Sequence, residues 1–226
     1  PDLSPRPSSL PMLLVKREDA NTLAIKAVAA TAFRQKLKAD IPDPLLDPVG
    51  WFTKVLGCTL YPKQEEMILA VRDYPQVSVV GCNSSGKDFT AGRVALWWTS
   101  AYLQSKVIIT GPSTRQVADV VWNETRNAYL HANQNLGGQV YEQPRLKWNE
   151  ERFILGFSTD KSYKLQGFHS PHLLIIVTEA HGMKQADIEV LRRLNPNTML
   201  FTGNPIVESG EFYESHHEKA HLWKTI

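Results

Sequence analysis

Cysteine is scarce: Cys58 and Cys82 are the two in 226 residues. Two thiols make neither a disulfide framework nor a zinc cluster, and their ordinary role is that of small buried side chains. An excess of one charge sign is also lacking, since 25 Lys and Arg stand against 23 Asp and Glu. The total therefore implies no strongly basic nucleic-acid-binding surface, though it leaves room for a local basic face. No apolar run is long enough to span a bilayer and no signal peptide is visible, so a soluble, intracellular protein is expected. The chain opens on Pro1 and not on Met, which points to a fragment or a processed form. What is present suits a packed core: 42% of residues are hydrophobic and 21% charged, which excludes a disordered chain. The length fits one α/β domain with a small appendage.

Proline and glycine divide the chain. Residues 1–12, PDLSPRPSSLPM, read as an extended arm or linker. Residues 19–38 hold no Pro or Gly and many strong helix formers, which predicts a helix. IPDPLLDP at 41–48 breaks it. Over 49–72 a Trp- and Phe-bearing stretch leads into a helix expected near Pro62, where proline suits the first turn. From residue 77, strands and helices alternate. VSVVG (77–81) and KVIITG (106–111) predict buried strands, with a helical stretch between them to about Gln104. A long helix is expected over 113–133, and RLKWNEERFILGFS (145–158) predicts a hairpin turning near Asn149-Glu150. HLLIIVTEA (172–180) is the strongest strand signal, followed by a helix over 184–194 and a strand in TMLFTGNP (198–205). This alternation predicts an α/β fold of three layers, with a mainly parallel central sheet and a short helical N-terminal extension. The expected division is an arm and helix over 1–50 and the main domain over 51–226.

Between the first strand and its helix lies GCNSSGKD, residues 81–88. It fits G-x-x-x-x-G-K, the phosphate-binding (Walker A) loop, except at its last position. In such a loop the backbone N–H groups of Gly81, Cys82, Asn83, Ser84, Ser85 and Gly86, and the helix start at Lys87, Asp88 and Phe89, face the phosphates. Lys87 reaches the β and γ oxygens as a point charge. A Gly/Ser turn without a ligand is the competing account; the flanking strand and helix favour the loop. The departure is Asp88, where a Ser or Thr hydroxyl ordinarily ligates Mg²⁺. A carboxylate near polyphosphate repels it by on the order of 4 kcal/mol at about 4 Å and an effective dielectric of about 20. Either a metal offsets this or nucleotide binding is weak.

The strand LLIIVTEA ends in Thr178-Glu179, where an Asp-Glu pair (Walker B) ordinarily holds Mg²⁺ and activates the attacking water. Glu179 fits the second role, while Thr178 lacks the carboxylate of the first. The two departures compensate: the loop has the carboxylate and the strand the hydroxyl. A swapped metal site, with Asp88 and Thr178 serving Mg²⁺, follows as a hypothesis, since hard oxygen ligands of either kind suit this ion. An impaired ATPase and a site altered by mutation are the alternatives.

An ordered series of strings resembles the ATPase region of the large terminase subunit, the DNA-packaging motor of tailed bacteriophages. It runs over about 55–215: LYPKQEEMI (60–68), GCNSSGKDFTAGRVALWW (81–98), VIITGPSTRQVADVVW (107–122), KLQGFHSPHLLIIVTEAHGM (164–183) and LFTGNPIVESGEFY (200–213). The resemblance implies a P-loop NTPase fold of the ASCE type, with ATP and Mg²⁺ as cofactors. It implies that Gln64, after Tyr61-Pro62, recognises adenine through an amide that donates and accepts at once, against the alternative of an exposed helix glutamine. It implies a coupling role for Thr202, Gly203 and Asn204 in FTGNP, against a plain strand-to-loop turn. Its implied partners are double-stranded DNA, a portal protein, a small terminase subunit and further copies in a ring, in the host-cell cytoplasm, with no membrane. A nuclease follows the ATPase in this family; the chain stops at Ile226, so nucleotide chemistry without DNA cutting is expected.

The arginine that neutralises transition-state charge is not settled. The loop has none, and Gln166 occupies the other customary place; Arg115, Arg126, Arg145, Arg152, Lys161 and Lys164 are open candidates, each also readable as a solvated charge. Lys147, Arg152, Lys161 and Lys164 are candidate DNA-phosphate contacts, with an ordinary solvated face as the alternative. His216, His217 and His221 lack a further strong ligand and read as a surface helix more than a metal site. Trp97-Trp98 read as core more than as a base-stacking platform. Two rival functions remain: a helicase-like DNA-dependent ATPase, and an assembly domain with a weak nucleotide site.

Overall fold

The structure, a computed structural model, describes residues 41–158 and 168–226, together with Val28. The chain divides into two units, 1–40 and 41–226. In the first, Val28 is helical and exposed; the arm and the remainder of the helix expected over 19–38 lie outside the described residues.

In the second unit the proline-rich stretch starts a helix. Asp47 Oδ1 accepts the Gly50 N–H at 2.8 Å and Pro48 takes the first helical position, giving α1, Pro48–Val55. This helix was not expected. Then follow α2 (Pro62–Asp73), β1 (Gln76–Val80), α3 (Lys87–Ala101) and β2 (Ser105–Thr110). The long helix expected over 113–133 is broken in its winding: α4 (Thr114–Gln116), a π-helical segment (Val117–Trp122) and α5 (Asn123–Leu130). The expected hairpin is β4 (Arg145–Asn149) and β5 (Arg152–Gly156), preceded by an unexpected short β3 (Gln139–Val140). β6 (His172–Val177), α6 (Gln185–Arg192), β7 (Thr198–Gly203), α7 (Gly210–Ser215) and the two-residue β8 (Lys224–Thr225) complete the unit.

Among the described residues eight strands form one sheet, in the order β3-β4-β5-β2-β6-β7-β1-β8. β5 to β8 pair in parallel, and the hairpin side β3-β4-β5 is antiparallel. All-buried runs such as Ser105–Thr110 and Thr198–Gly203 are what a parallel sheet covered on both faces requires. β6 shows the two faces directly. Leu174 and Ile176 join one apolar cluster with α1, α2 and α3, while Leu173, Ile175 and Val177 join another with Ile188, Leu191 and Phe212. Trp97 and Trp98 are 0% and 3% exposed, and each donates its indole N–H to a backbone carbonyl, of Pro44 and His172. They are core, as expected. The imidazoles of HHEKAH do not share one helix: α7 stops at Ser215, His216 caps it, and a 3-10 turn follows at Ala220–Leu222. His216 Nε2 turns inward to the Ser78 hydroxyl at 3.0 Å, which removes it from the surface face. No helix among the described residues is long and apolar enough to cross a membrane.

Candidate active site

In a parallel sheet the carboxyl ends of neighbouring strands open onto one edge, and ligands bind there. Here β7 lies between β1 and β6. The loop after β1, the end of β7 and the Thr178-Glu179 step after β6 therefore share that edge, although about a hundred residues separate them in sequence. The loop is tied to β7 by Gly81 N–H donating to the Gly203 carbonyl at 3.1 Å. Asn204 Nδ2 donates to Asn83 Oδ1 at 2.8 Å across the same gap.

Gly86 caps α3 with φ 77°, a left-handed conformation that favours glycine. An added Cβ there would also come within 2.7 Å of Gln64 Nε2. Cys82, Asn83 and Ser84 are exposed, while Lys87 is buried. The Lys87 ammonium bends back under the loop, 3.5 Å from the Cys82 carbonyl and 3.7 Å from Asp88 Oδ2. Asp88 gives this unsolvated cation one anionic neighbour, and phosphate oxygens over the loop would add others.

Asp88 and Thr178, ninety residues apart, meet: Thr178 Oγ1 donates to Asp88 Oδ1 at 3.3 Å. Thr178 is fully buried, and the Asp88 side chain is 20% exposed. One carboxylate and one hydroxyl beside a phosphate loop fit a Mg²⁺ ion, which is held by one or two carboxylates plus substrate phosphates and waters. Among the described residues no group of three or more His, Cys, Asp and Glu gathers to hold a metal by protein side chains alone.

Glu179 follows with φ 50° and ψ 44°, the left-handed region that a non-glycine residue occupies at a cost. Its carboxylate lies 3.4 Å from His181 Nδ1. His181 has no local motif that marks it: its nearness to Glu179 is that of neighbours on one turn, whereas its nearness to Asn204 comes from strand order, which no local pattern carries. Thr202 is fully buried and its hydroxyl has no hydrogen-bond partner among the described residues.

Gln64 is buried, not an exposed helix residue. Its Oε1 accepts the Tyr61 N–H at 3.2 Å, and its Nε2 lies against Gly86. The Tyr61 hydroxyl donates to the Ser85 carbonyl. These residues, with Lys63, Met67, Thr90 and Ile226, border a cavity of about 210 Å³ beside the loop. Phe89 packs under the Arg93 guanidinium, 3.3 Å from its centroid, outside that cavity's lining.

Arg115 pairs with Asp119, Arg126 is exposed, and Arg145 and Arg152 cover the rings of Tyr141 and Trp148. Lys147 pairs with Glu150. Lys161, Lys164 and Gln166 lie outside the described residues.

The fold and the loop are of the P-loop NTPase type. More particularly, the chain is similar to large terminase subunits of bacteriophages. No family model matches it. A probable terminase large subunit of Enterobacteria phage P7 is 24% identical over 192 residues, covering 74% of this chain and 36% of that protein. The chain thus spans about a third of the length of this curated relative. The large terminase of a thermophilic bacteriophage in complex with ATP-γ-S overlays with a TM-score of 0.58 at 12% identity, over 74% of this chain and 44% of that one. The large terminase ATPase domain of Thermus phage P74-26 overlays at 0.54 and 16%, over 73% and 71%. The unit has the fold of these ATPase domains.

Proposed function

We propose that this chain is the ATPase portion of a large terminase subunit, a motor that hydrolyses ATP to move double-stranded DNA into a procapsid. One observation carries the reading: Lys87, Asp88 and Thr178 meet at the carboxyl ends of β1 and β6, with Glu179 next in the chain. The loop and helix-start N–H groups from Cys82 to Phe89, apart from that of Ser85, receive the β and γ phosphates while Gly81 stays tied to β7, and Lys87 balances their charge. Gln64 and Tyr61 hold the base in the neighbouring cavity. Asp88 and Thr178 would hold Mg²⁺, which would supply charge neutralisation to the phosphates. Glu179 orients a water and takes its proton. The water oxygen bonds to the γ phosphorus as the bond to the ADP oxygen breaks, leaving ADP and inorganic phosphate. Thr202, Gly203 and Asn204 sense the change and pass it on. The working form is a ring of copies on a portal, with a small terminase subunit, in the host-cell cytoplasm.

The test is turnover of ATP and Mg²⁺ by the chain, with and without double-stranded DNA, beside Glu179→Gln. Hydrolysis that Glu179→Gln abolishes, with no strand separation, is expected. Strand displacement would make it helicase-like. Absence of both hydrolysis and ATP binding would make it an assembly domain.

A further inference from the structure

His181 Nδ1 receives two incompatible demands. It lies 3.3 Å from the Asn204 backbone nitrogen, a donor, and 3.4 Å from Glu179 Oε2, an acceptor. A neutral imidazole nitrogen either carries a proton and donates or bears a lone pair and accepts. As N–H it serves Glu179 and leaves the Asn204 N–H without this acceptor. As a lone pair it serves Asn204 and faces a carboxylate it repels.

The surroundings hold this conflict in place. The His181 side chain is 12% exposed. Gly182 N–H donates to the Glu179 carbonyl at 2.9 Å, closing the turn between them. An added Cβ on Gly203 would come within 3.3 Å of Nδ1 and 2.9 Å of the Phe212 ring, so β7 passes close against the imidazole. Asn204 in turn grips Asn83 of the phosphate loop at 2.8 Å.

We propose that His181 is a positioning residue whose Nδ1 alternates between Glu179 and the Asn204 N–H, linking the general base to the loop after β7. It rests on the reading of Glu179 as that base. With Nδ1 protonated, Glu179 is held toward the imidazole and away from the phosphates. When Glu179 turns to the attacking water, the ring's one proton passes through solvent from Nδ1 to Nε2. Nδ1 then accepts the Asn204 N–H, fastening the Asn204–Asn83 contact.

Three variants and one spectrum test this. His181→Phe keeps the ring's bulk and loses the nitrogen; His181→Asn places an amide near the position of Nδ1. We expect His181→Phe to lower kcat by about 10- to 100-fold, the upper figure being the cost of a catalytic group misplaced by about 1 Å, with the ATP KM within about twofold. His181→Asn is expected to keep at least about half of the wild-type kcat, because its amide can meet either demand. The ¹⁵N signal of His181 Nδ1 should move from a protonated toward an unprotonated nitrogen when ATP-γ-S and Mg²⁺ are added. Wild-type turnover in His181→Phe, equal loss in both variants, or an unmoved ¹⁵N signal overturns the link. Glu179→Gln separates the two claims. If it turns over ATP like the wild type, the general-base reading fails and takes this link with it. If it is inactive while His181→Phe is normal, the link alone fails.

Discussion

Thr178→Asp places a second carboxylate against Asp88, and the consequence can be worked from the structure. Thr178 Oγ1 and Asp88 Oδ1 are 3.3 Å apart, and the site of the new group is fully buried. Two like charges at about 4 Å repel by about 4 kcal/mol at an effective dielectric of about 20. Lys87, 3.7 Å from Asp88, offsets part of this, so a loss of about 2–4 kcal/mol is expected in the absence of metal. Asp88→Thr in the same chain removes the repulsion and restores one carboxylate and one hydroxyl with the places exchanged. Four proteins complete the cycle: wild type, each single variant and the double. Urea unfolding in EDTA should give a coupling of about 2 kcal/mol or more, well beyond the scatter for independent sites. Steady-state ATPase with Mg²⁺ should fall in both single variants and recover in the double. Additive stabilities, or a double variant no more active than the singles, would refute the reasoning.

Lys87→Ala should lower ATP turnover by at least about 100-fold, through loss of the charge that meets the transferring phosphate; turnover beside a thermal melt separates this from unfolding. Gln64→Ala removes the acceptor of the Tyr61 N–H and should cost about 1 kcal/mol of stability, as a lost cap does. It should also raise the ATP KM up to about 10-fold and narrow the preference for ATP over GTP; an unchanged ATP to GTP ratio would leave Gln64 a cap only. Glu211 is fully buried and accepts from Lys219 at 2.7 Å and from Arg192. Burial pushes its carboxyl up, but the Lys219 and Arg192 contacts outweigh this and hold it below its ordinary 4.5. Its stabilisation is therefore full above about pH 4.5 and fades as pH falls through the lower folded value. Glu211→Ala should cost about 3 kcal/mol at pH 7, and the difference from wild type should shrink in acid, read by urea unfolding against pH; a pH-independent difference would refute the charge argument.

What could be read locally was read. The turn at Gly86, the strand VSVVG and the helix behind it announce themselves within a dozen residues, because glycine, β-branched and helix-forming residues act over that range. That Asp88 and Thr178 both depart from one pattern was also legible, and the structure brings the two side chains to 3.3 Å. Long-range order was not legible. That β7 separates β1 from β6 follows from packing both sheet faces, and it decides that Asn204 reaches Asn83 and His181. The π-helical winding of Val117–Trp122, VADVVW, has no periodic signature that separates it from an ordinary helical turn. α1 was concealed because the same prolines that stop a helix also start one, given a cap at Asp47. β8 and β3 have two residues each, too few for a periodic signal.

The central claim is that Asp88 and Thr178 together serve the metal of an ATP site. A crystal structure with ATP-γ-S and Mg²⁺ tests it most directly. An Asp88 carboxylate oxygen and the Thr178 hydroxyl are expected in the metal's coordination, each at about 2.0–2.1 Å, with Lys87 on the β and γ oxygens. A Mg²⁺ held by phosphates and water alone, with Asp88 and Thr178 still bonded to each other, would contradict it.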